Sequence, residues 1–560
     1  MNNFCLKLNK KGIYFLLFIT LLFARCSPEE KTVIIIDTSY AVFLQDTVTV
    51  VPSGGDVFAQ MEWLGAVWKI IMDDDNGWVE DISQKEGGAD GDEKGQLFVK
   101  FTCTENKTAE TRQQEVFLVN KSKGERSKLV IKQGSNYSKL SITLNVAVKY
   151  QRVAGFGGMC NPVIWTPSNL ISKADLTKMF APDQLGYNIL RLMVYPEERH
   201  WPADVERAKE AQAYGALVFA SPWHLPSDME EKIIVNGKEM RHLKADRYQD
   251  YANHLVKYIH HMKNNGVELY AISVQNEPDM DFTYWRPQEV VNFIKTYGDQ
   301  IRATGVRLMA PEHCGFGPEH TDPVLNDPIA FSKTDIVAGH LYQGFVKVSE
   351  SSYVRNRHAY ITGLYNSKLA NSGKEWSWWM TEHLFNTGES ETNPALWQFQ
   401  KWSYMFENLG KEIHTCMEGY CSAYIYWYLK RFYGMIGDTD RRSPVPQGVP
   451  LKNGYILSHY AKYASNTTRI KADSDNKDVN VTAYVNHDGT EITIVLLNFK
   501  NTNFKMVTTT PFDIVSATAV ETSETADMKT IEPVVSDTRK NVSLNINPQS
   551  MVSIRLRATD

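Results

Sequence analysis

The sequence predicts a multidomain chain centred on a (β/α)8 barrel, with a β-sandwich ahead of it and a side β-sandwich domain built from both flanks. Three patterns predict this. Eight apolar, strand-like runs recur across residues 151–461, with amphipathic helical stretches between many of them. Short β-branched runs separated by turn residues occupy about 33–135, and β patterning returns over 462–560. Strands alternating with helices indicate a parallel sheet covered on both faces, and eight repeats suit a closed barrel better than an open sheet.

Composition bounds the partners. The chain has 560 residues, enough for several domains. Its 60 Lys+Arg against 65 Asp+Glu leave a net charge of −5, which excludes a nucleic-acid binder of the strongly basic kind. Hydrophobic residues make up 43% and charged ones 22%, as in an ordinary globular chain. The 13 Trp and 27 Tyr suit stacking on flat-faced ligands such as sugar rings, and equally suit a large core.

The N-terminus reads as a targeting device. Lys7, Lys10 and Lys11 precede an apolar run over 13–24, too short to span a bilayer comfortably. Cys26 follows Leu22-Phe23-Ala24-Arg25. This resembles a bacterial lipoprotein signal, although Arg25 stands where a small residue is usual. The resemblance implies a signal peptide over 1–25, lipidation of Cys26 and a polar tether over 26–37. It places the chain in the cell envelope, held to the outer membrane only by lipid and facing the cell surface or the periplasm. No later run is long and apolar enough for a membrane helix. Beyond Cys5 and Cys26, five scattered cysteines offer no C-x-x-C pair, so no zinc site is expected. Cys416 and Cys421 are spaced for a local bridge, but buried thiols are the simpler expectation.

In the first β region, runs at 33–36, 48–51, 97–102, 115–119 and 128–131 alternate with turns, as in a sandwich of about 100 residues. Trp68 and Trp78 flank the turn signal Asp73-Asp74-Asp75-Asn76-Gly77. The order Trp68, Trp78, Asn106, Arg112 and Gln133-Gly134 resembles the BACON domain, an immunoglobulin-like module, over 38–136. That resemblance implies either carbohydrate binding or a spacer.

The eight barrel runs are 153–157, 188–194, 216–221, 269–275, 307–311, 335–342, 376–382 and 423–429, with helices expected at 247–263 and 287–304. Strand patterns at 479–485, 491–498, 504–509, 542–546 and 551–556 follow, and another at 141–148 precedes the barrel. Segments 138–150 and 462–560 are therefore expected to share one side sheet.

A barrel of this kind carries its chemistry at the C-terminal ends of its strands. Two acids lie there: Glu277, closing the fourth strand after Ala271-Ile272-Ser273-Val274-Gln275-Asn276, and Glu382 at the end of the seventh. Two carboxyls facing one cavity suit cleavage of a glycosidic bond, one protonating the leaving oxygen while the other attacks the anomeric carbon or activates water. Their spacing decides between retention and inversion, and sequence does not give it. No metal constellation and no cofactor motif accompany them.

The stretches Gly155-Phe156-Gly157-Gly158, Ser221-Pro222-Trp223, 273–279, Gly339-His340-Leu341-Tyr342 and Met380-Thr381-Glu382-His383 resemble glycoside hydrolase family 30, a retaining family. The likeness runs from about Ser138 to the C-terminus. It implies Glu277 as general acid/base, Glu382 as nucleophile, Asn276 on the sugar 2-hydroxyl, Trp223 as a subsite wall and Tyr342 as a hydrogen-bond donor to the nucleophile. His340 and His383 read as supports. Tyr424–Gly434 resembles the family's bacterial glucuronoxylanases, in which an Arg and a Tyr two residues later hold a glucuronic acid branch; Arg431 and Tyr433 take those places. A guanidinium matches a carboxylate bidentately.

The resemblance thus implies an endo-1,4-β-xylanase acting on glucuronoxylan, without cofactor, as a monomer. Two departures flank the expected cleft: His224-Leu225-Pro226-Ser227-Asp228-Met229 where a second Trp is usual, and a long proline-rich loop over 438–450. Other family 30 specificities (undecorated xylan, β-glucan or a glucosylceramide-like substrate) stay open, as does a surface glycan-binding lipoprotein with an inactive barrel.

Overall fold

The structure, a computed structural model, describes residues 38–342, 352–386, 393–394 and 397–558. The expected signal peptide, tether and Cys26 lie outside the described residues. Among the described residues no helix is long and apolar enough to cross a membrane. The chain divides into two compact units: the described residues up to Glu105 with Arg112–Gln133, and Asn106–Thr111 with Gly134 onward.

The first unit is two facing sheets. Tyr40–Phe43, Gly55–Leu64, Lys94–Cys103 and Val79–Ile82 form one, and Thr47–Val50, Arg126–Gln133, Arg112–Asn120, Trp68–Ile71 and Glu86–Gly87 the other. Alternate residues of each, among them Met61, Trp68, Phe101, Leu118 and Ile131, fill the space between. The motif residues serve this core. Trp78 is buried under the Arg112 guanidinium, 4.6 Å from its ring centre, and Arg112 Nε donates to Gln133 Oε1 at 2.7 Å.

The second unit holds the barrel. Its strands are β1 (Gly155–Met159), β2 (Ile189–Val194), β3 (Leu217–Pro222), β4 (Leu269–Ser273), β5 (Arg307–His313), β6 (Ile336–His340), β7 (Trp378–His383) and β8 (Cys421–Tyr426). They close in that order, with β1 pairing β8 in parallel at Gly155↔Ala423. Each of the eight expected runs overlaps one of them. Almost every residue in them is buried, because helices cover the outside while side chains such as Ile189, Phe219, Met309, Trp379 and Ile425 fill the inside. At Gly157 an added Cβ would lie 1.7 Å from the Ile189 carbonyl oxygen, so the close approach of β1 to β2 requires glycine there. The amphipathic stretches after β3 and β4 form α1 (Tyr248–Asn264) and α2 (Pro287–Arg302).

Three details differ from the sequence expectation. The ladder of β4 stops at Ser273, so Glu277 sits in the following loop rather than at the strand's last position. The last barrel helix, Lys452–Ala464, runs three residues past the expected end of the barrel at 461. An antiparallel hairpin, Glu230–Val235 with Lys238–Leu243, projects after β3; its Lys and Glu content hid it.

The side domain is one continuous ladder of ten strands. Tyr137–Val153, longer than the expected 138–150, pairs antiparallel with Thr467–Ser474 and parallel with Asn503–Thr509. Its register shifts between Asn145 and Lys149, and again before Arg152. Leu140, Phe504, Met506 and Leu544 from one half of the ladder pack with Ile494, Leu496, Val552 and Ile554 from the other, so the sheet doubles over one core. Both sequence ends of the unit thus meet in one domain.

Candidate active site

The site is organised around a cation that sequence reading passed over. Arg191 interrupts the apolar strand Ile189–Val194 and is fully buried inside the barrel. Its Nη1 donates to Glu382 Oε2, and its Nη2 to Asn276 Oδ1 at 2.6 Å and to Glu312 Oε1 at 3.2 Å. Its guanidinium lies 4.6 Å from the Trp223 ring centre. One buried side chain from β2 thereby ties together the ends of β3, β4, β5 and β7. A buried guanidinium without such partners would carry a cost of several kcal/mol.

Backbone strain sits at the same place. Glu277 (φ 46°) and Glu312 (φ 56°) both adopt the left-handed conformation, and the Glu277 amide donates to the Glu312 carbonyl at 3.0 Å. The Asn276 amide donates to the Pro222 carbonyl at 2.8 Å. Non-glycine residues held in this conformation cost of order 1–3 kcal/mol each and cluster at functional sites. Here the turn aims two carboxyls inward.

The two acids predicted from sequence meet. One carboxylate oxygen of Glu277, one of Glu382 and a ring nitrogen of His340 all lie within 4.8 Å of one another. Tyr342 donates from its hydroxyl to Glu382 Oε1 at 2.8 Å, and His340 Nδ1 lies 2.9 Å from Glu277 Oε1. Asn276 Nδ2 is buried with no hydrogen-bond partner among the described residues, a donor left over for a ligand. His383, next in sequence to Glu382, meets the buried Glu412 carboxylate through Nδ1 at 2.7 Å.

The aromatic wall is Trp165, Trp223 and Trp427, with ring centres 5.6–6.0 Å apart. Where a second Trp was expected, His224 meets Trp165 edge-on and its Nδ1 lies 3.2 Å from the Phe282 carbonyl.

Arg431 and Tyr433 follow β8. The Arg431 guanidinium lies 5.8 Å from the Tyr433 ring centre. The Arg431 side chain is 24% exposed, and its Nη1 lies 3.9 Å from Asp438 Oδ2. The long loop over 438–450 thus brings a carboxylate against the cation. Tyr433 is mostly buried, its backbone carbonyl accepting from Tyr426 Oη and Asn453 Nδ2.

Electrostatics favour proton chemistry. Burial alone would lower the His340 imidazole, but Glu382, Glu277 and Glu312 raise it to about 9. Burial would raise Glu312, but Arg191 and His340 hold its carboxyl down at about 2. Burial raises Glu382, Glu277 adds to that, and His340 and Arg191 oppose it. Sequence offered no metal constellation, yet the atoms of Glu277, His340 and Glu382 are close enough to hold an ion. A protonated His340 has no lone pair to give, and Arg191 already occupies Glu382.

The pattern of the glycosyl hydrolase family 30 TIM-barrel domain matches residues 177–377. Over 367 residues the chain is 37% identical to the glucuronoxylanase XynC of Bacillus subtilis (strain 168), covering 64% of this chain and 78% of that one. The chain belongs to glycosyl hydrolase family 30. Among solved structures it is similar to a family 30 endoxylanase from Clostridium papyrosolvens C71, with a TM-score of 0.61 and 30% identity over 75% of this chain and all of that one. It is also similar to the subfamily 8 xylanase Xyn30A of Clostridium acetobutylicum, with a TM-score of 0.59 and 26% identity over 76% of this chain and all of that one.

Within this family 30 barrel, sequence reading missed Arg191, Glu312 and Glu412. A lone charge inside a wholly apolar strand was the signal for Arg191, since a cation there must be paired. Glu312 follows Pro311 at the end of β5, past the point where the expected run stopped.

Proposed function

We propose that the protein is a retaining endo-1,4-β-xylanase that cuts xylan decorated with glucuronic acid. The observation that carries the chemistry is the 4.8 Å bound on the Glu277, Glu382 and His340 atoms. One oxygen from each acid within 4.8 Å suits the roughly 5–5.5 Å spacing of retaining pairs better than the about 6.5–9.5 Å of inverting pairs.

Glu382, aimed by Tyr342 and Arg191, attacks the anomeric carbon while Glu277 gives its proton to the departing glycosidic oxygen. The C–O bond breaks and a glycosyl ester forms on Glu382. Glu277 then takes a proton from water, whose oxygen attacks the anomeric carbon and releases Glu382. Asn276 Nδ2 donates to the sugar 2-hydroxyl, a contact worth most as charge develops in the transition state. Trp223 walls the same subsite.

The 37% identity to a glucuronoxylanase and the Arg431–Tyr433 pair after β8, guanidinium 5.8 Å from ring centre, support a branch carboxylate as part of the recognised substrate. In this reading the carboxylate displaces Asp438 from Arg431. The Arg431–Asp438 contact also favours a second reading, in which Arg431 braces its own loop and undecorated xylan is cut equally well. Reducing ends released from glucuronoxylan, measured beside Glu382→Gln, test the hydrolase. Wild type no better than the variant leaves only a glycan-binding barrel.

The same proposal includes the N-terminal features. A lipid on Cys26 would tether a monomeric enzyme to the outer membrane, and the two-sheet unit, with the motif residues of a BACON-like immunoglobulin-type module spent on its own core, would act as a spacer. Metabolic labelling with a fatty acid, compared between wild type and Cys26→Ala, tests the anchor.

A further inference from the structure

We infer that Glu312 is a positioning residue: its buried carboxylate is the fixed anion that keeps His340 and Arg191 charged and leaves one proton on the Glu277–Glu382 pair. The inference rests on the proposed hydrolysis and goes beyond the two acids that perform it.

The geometry carries it. Glu312 is fully buried at the end of β5. Its Oε1 lies 3.2 Å from Arg191 Nη2 and 3.7 Å from His340 Nε2. The other face of each cation is turned to the reacting carboxyls, His340 Nδ1 to Glu277 and Arg191 Nη1 to Glu382. The charged groups meeting here are thus Arg191 from β2, Glu277 after β4, Glu312 from β5, His340 from β6 and Glu382 from β7. Tyr342 and Cys314 also face the site, and both stay neutral because burial and the adjacent carboxylates push them upward.

Among the described residues, two cations and three carboxylates leave one negative charge in excess. Among groups this deeply buried an uncompensated charge is expensive, so one proton is held among the carboxyls. Glu312, between two cations, is the carboxylate least able to take it. The proton therefore falls to the pair that performs acid–base chemistry, whose steps belong to the pair as a whole. Remove the Glu312 charge and the pair sits in a less negative field, so its shared proton is held less tightly.

The test is kcat/KM against pH on glucuronoxylan for wild type, Glu312→Gln and Glu312→Asp. With Glu312→Gln the alkaline limb should move to lower pH by about one unit or more. With Glu312→Asp, which keeps the charge, the limb should stay near the wild-type position even where the rate falls. A rate loss in Glu312→Gln at every pH with the limb unmoved overturns the inference, as does an Asp variant shifted as far as the Gln one.

Should Glu312→Gln fail to fold, NMR of wild type with labelled histidine reads the same device. His340 should remain an imidazolium through pH 8, and a neutral ring at pH 7 overturns the inference. A wild type that releases no reducing ends overturns the proposed function instead, and the NMR measurement still tests Glu312.

Discussion

Tyr342 Oη donates to Glu382 Oε1 at 2.8 Å while Arg191 bonds Oε2, so both oxygens of one buried carboxylate are held, one by a donor just past β6 and the other by a donor in β2. A hydrogen bond to a charged group is worth about 1.5–3 kcal/mol. Tyr342→Phe should therefore lower kcat/KM by roughly 10- to 150-fold. It should also move the acidic limb of the pH profile upward, because Glu382 loses a donor that favours its ionised form. A limb that stays in place would assign Tyr342 to packing alone.

Glu277 tests the division of labour between the acids. Glu277→Gln should cost about 10²- to 10⁴-fold on xylan, whose leaving oxygen needs a proton. The loss should be far smaller on an aryl xyloside whose phenolate leaves unaided. Equal losses on both substrates would contradict the acid role.

Arg431 tests the branch. A bidentate charge-assisted contact of about 1.5–3 kcal/mol implies a loss of roughly 10- to 150-fold on glucuronoxylan in Arg431→Ala. Linear xylo-oligomers should be cut at nearly the wild-type rate. Asp438→Asn, which removes the carboxylate 3.9 Å away, should leave activity on decorated xylan intact or raise it. Parallel losses on both substrates in Arg431→Ala would favour the loop-brace reading.

Stability should follow pH through two of the buried groups. His340 is raised to about 9, so its stabilising share is complete below its unfolded value of about 6.5 and is lost as pH rises toward 9. Glu312 is held at about 2, so its share is complete above its unfolded value of about 4.3 and is lost as pH falls toward 2. Both shares are present together only between about pH 4.3 and 6.5. The melting temperature of the full chain, scanned from pH 3 to 9, should peak in that window. A maximum above pH 8 would show that His340 is not charged in the folded state.

Much of the barrel was legible because its strands are buried on both faces and so read as unbroken apolar runs. Glu277 and Glu382 were legible for the same reason, each standing where such a run gives way to charge. Arg191 was overlooked because its strand still scanned as apolar around it; only pairing in three dimensions shows what it does. Ser516–Thr522, a strand of the side domain, escaped notice because Ser-Ala-Thr-Ala carries little β-branched signal. Gly55–Leu64 mixes Asp, Gln, Met and Glu on its two faces, and its alternation appears only once the partner sheet is known. The contact between Arg431 and Asp438 depends on how a proline-rich loop folds back, which no local pattern encodes.

The strand Tyr137–Val153 leads directly into β1, yet its ladder partners Thr467–Ser474 and Asn503–Thr509 are made more than three hundred residues later. On the ribosome this segment waits with both edges bare until residues 467–509 have emerged. Deleting residues 467–509 would therefore strip the mooring from the first barrel strand. The last hundred residues belong to the foundation of the catalytic half, not to an appendage that can be trimmed.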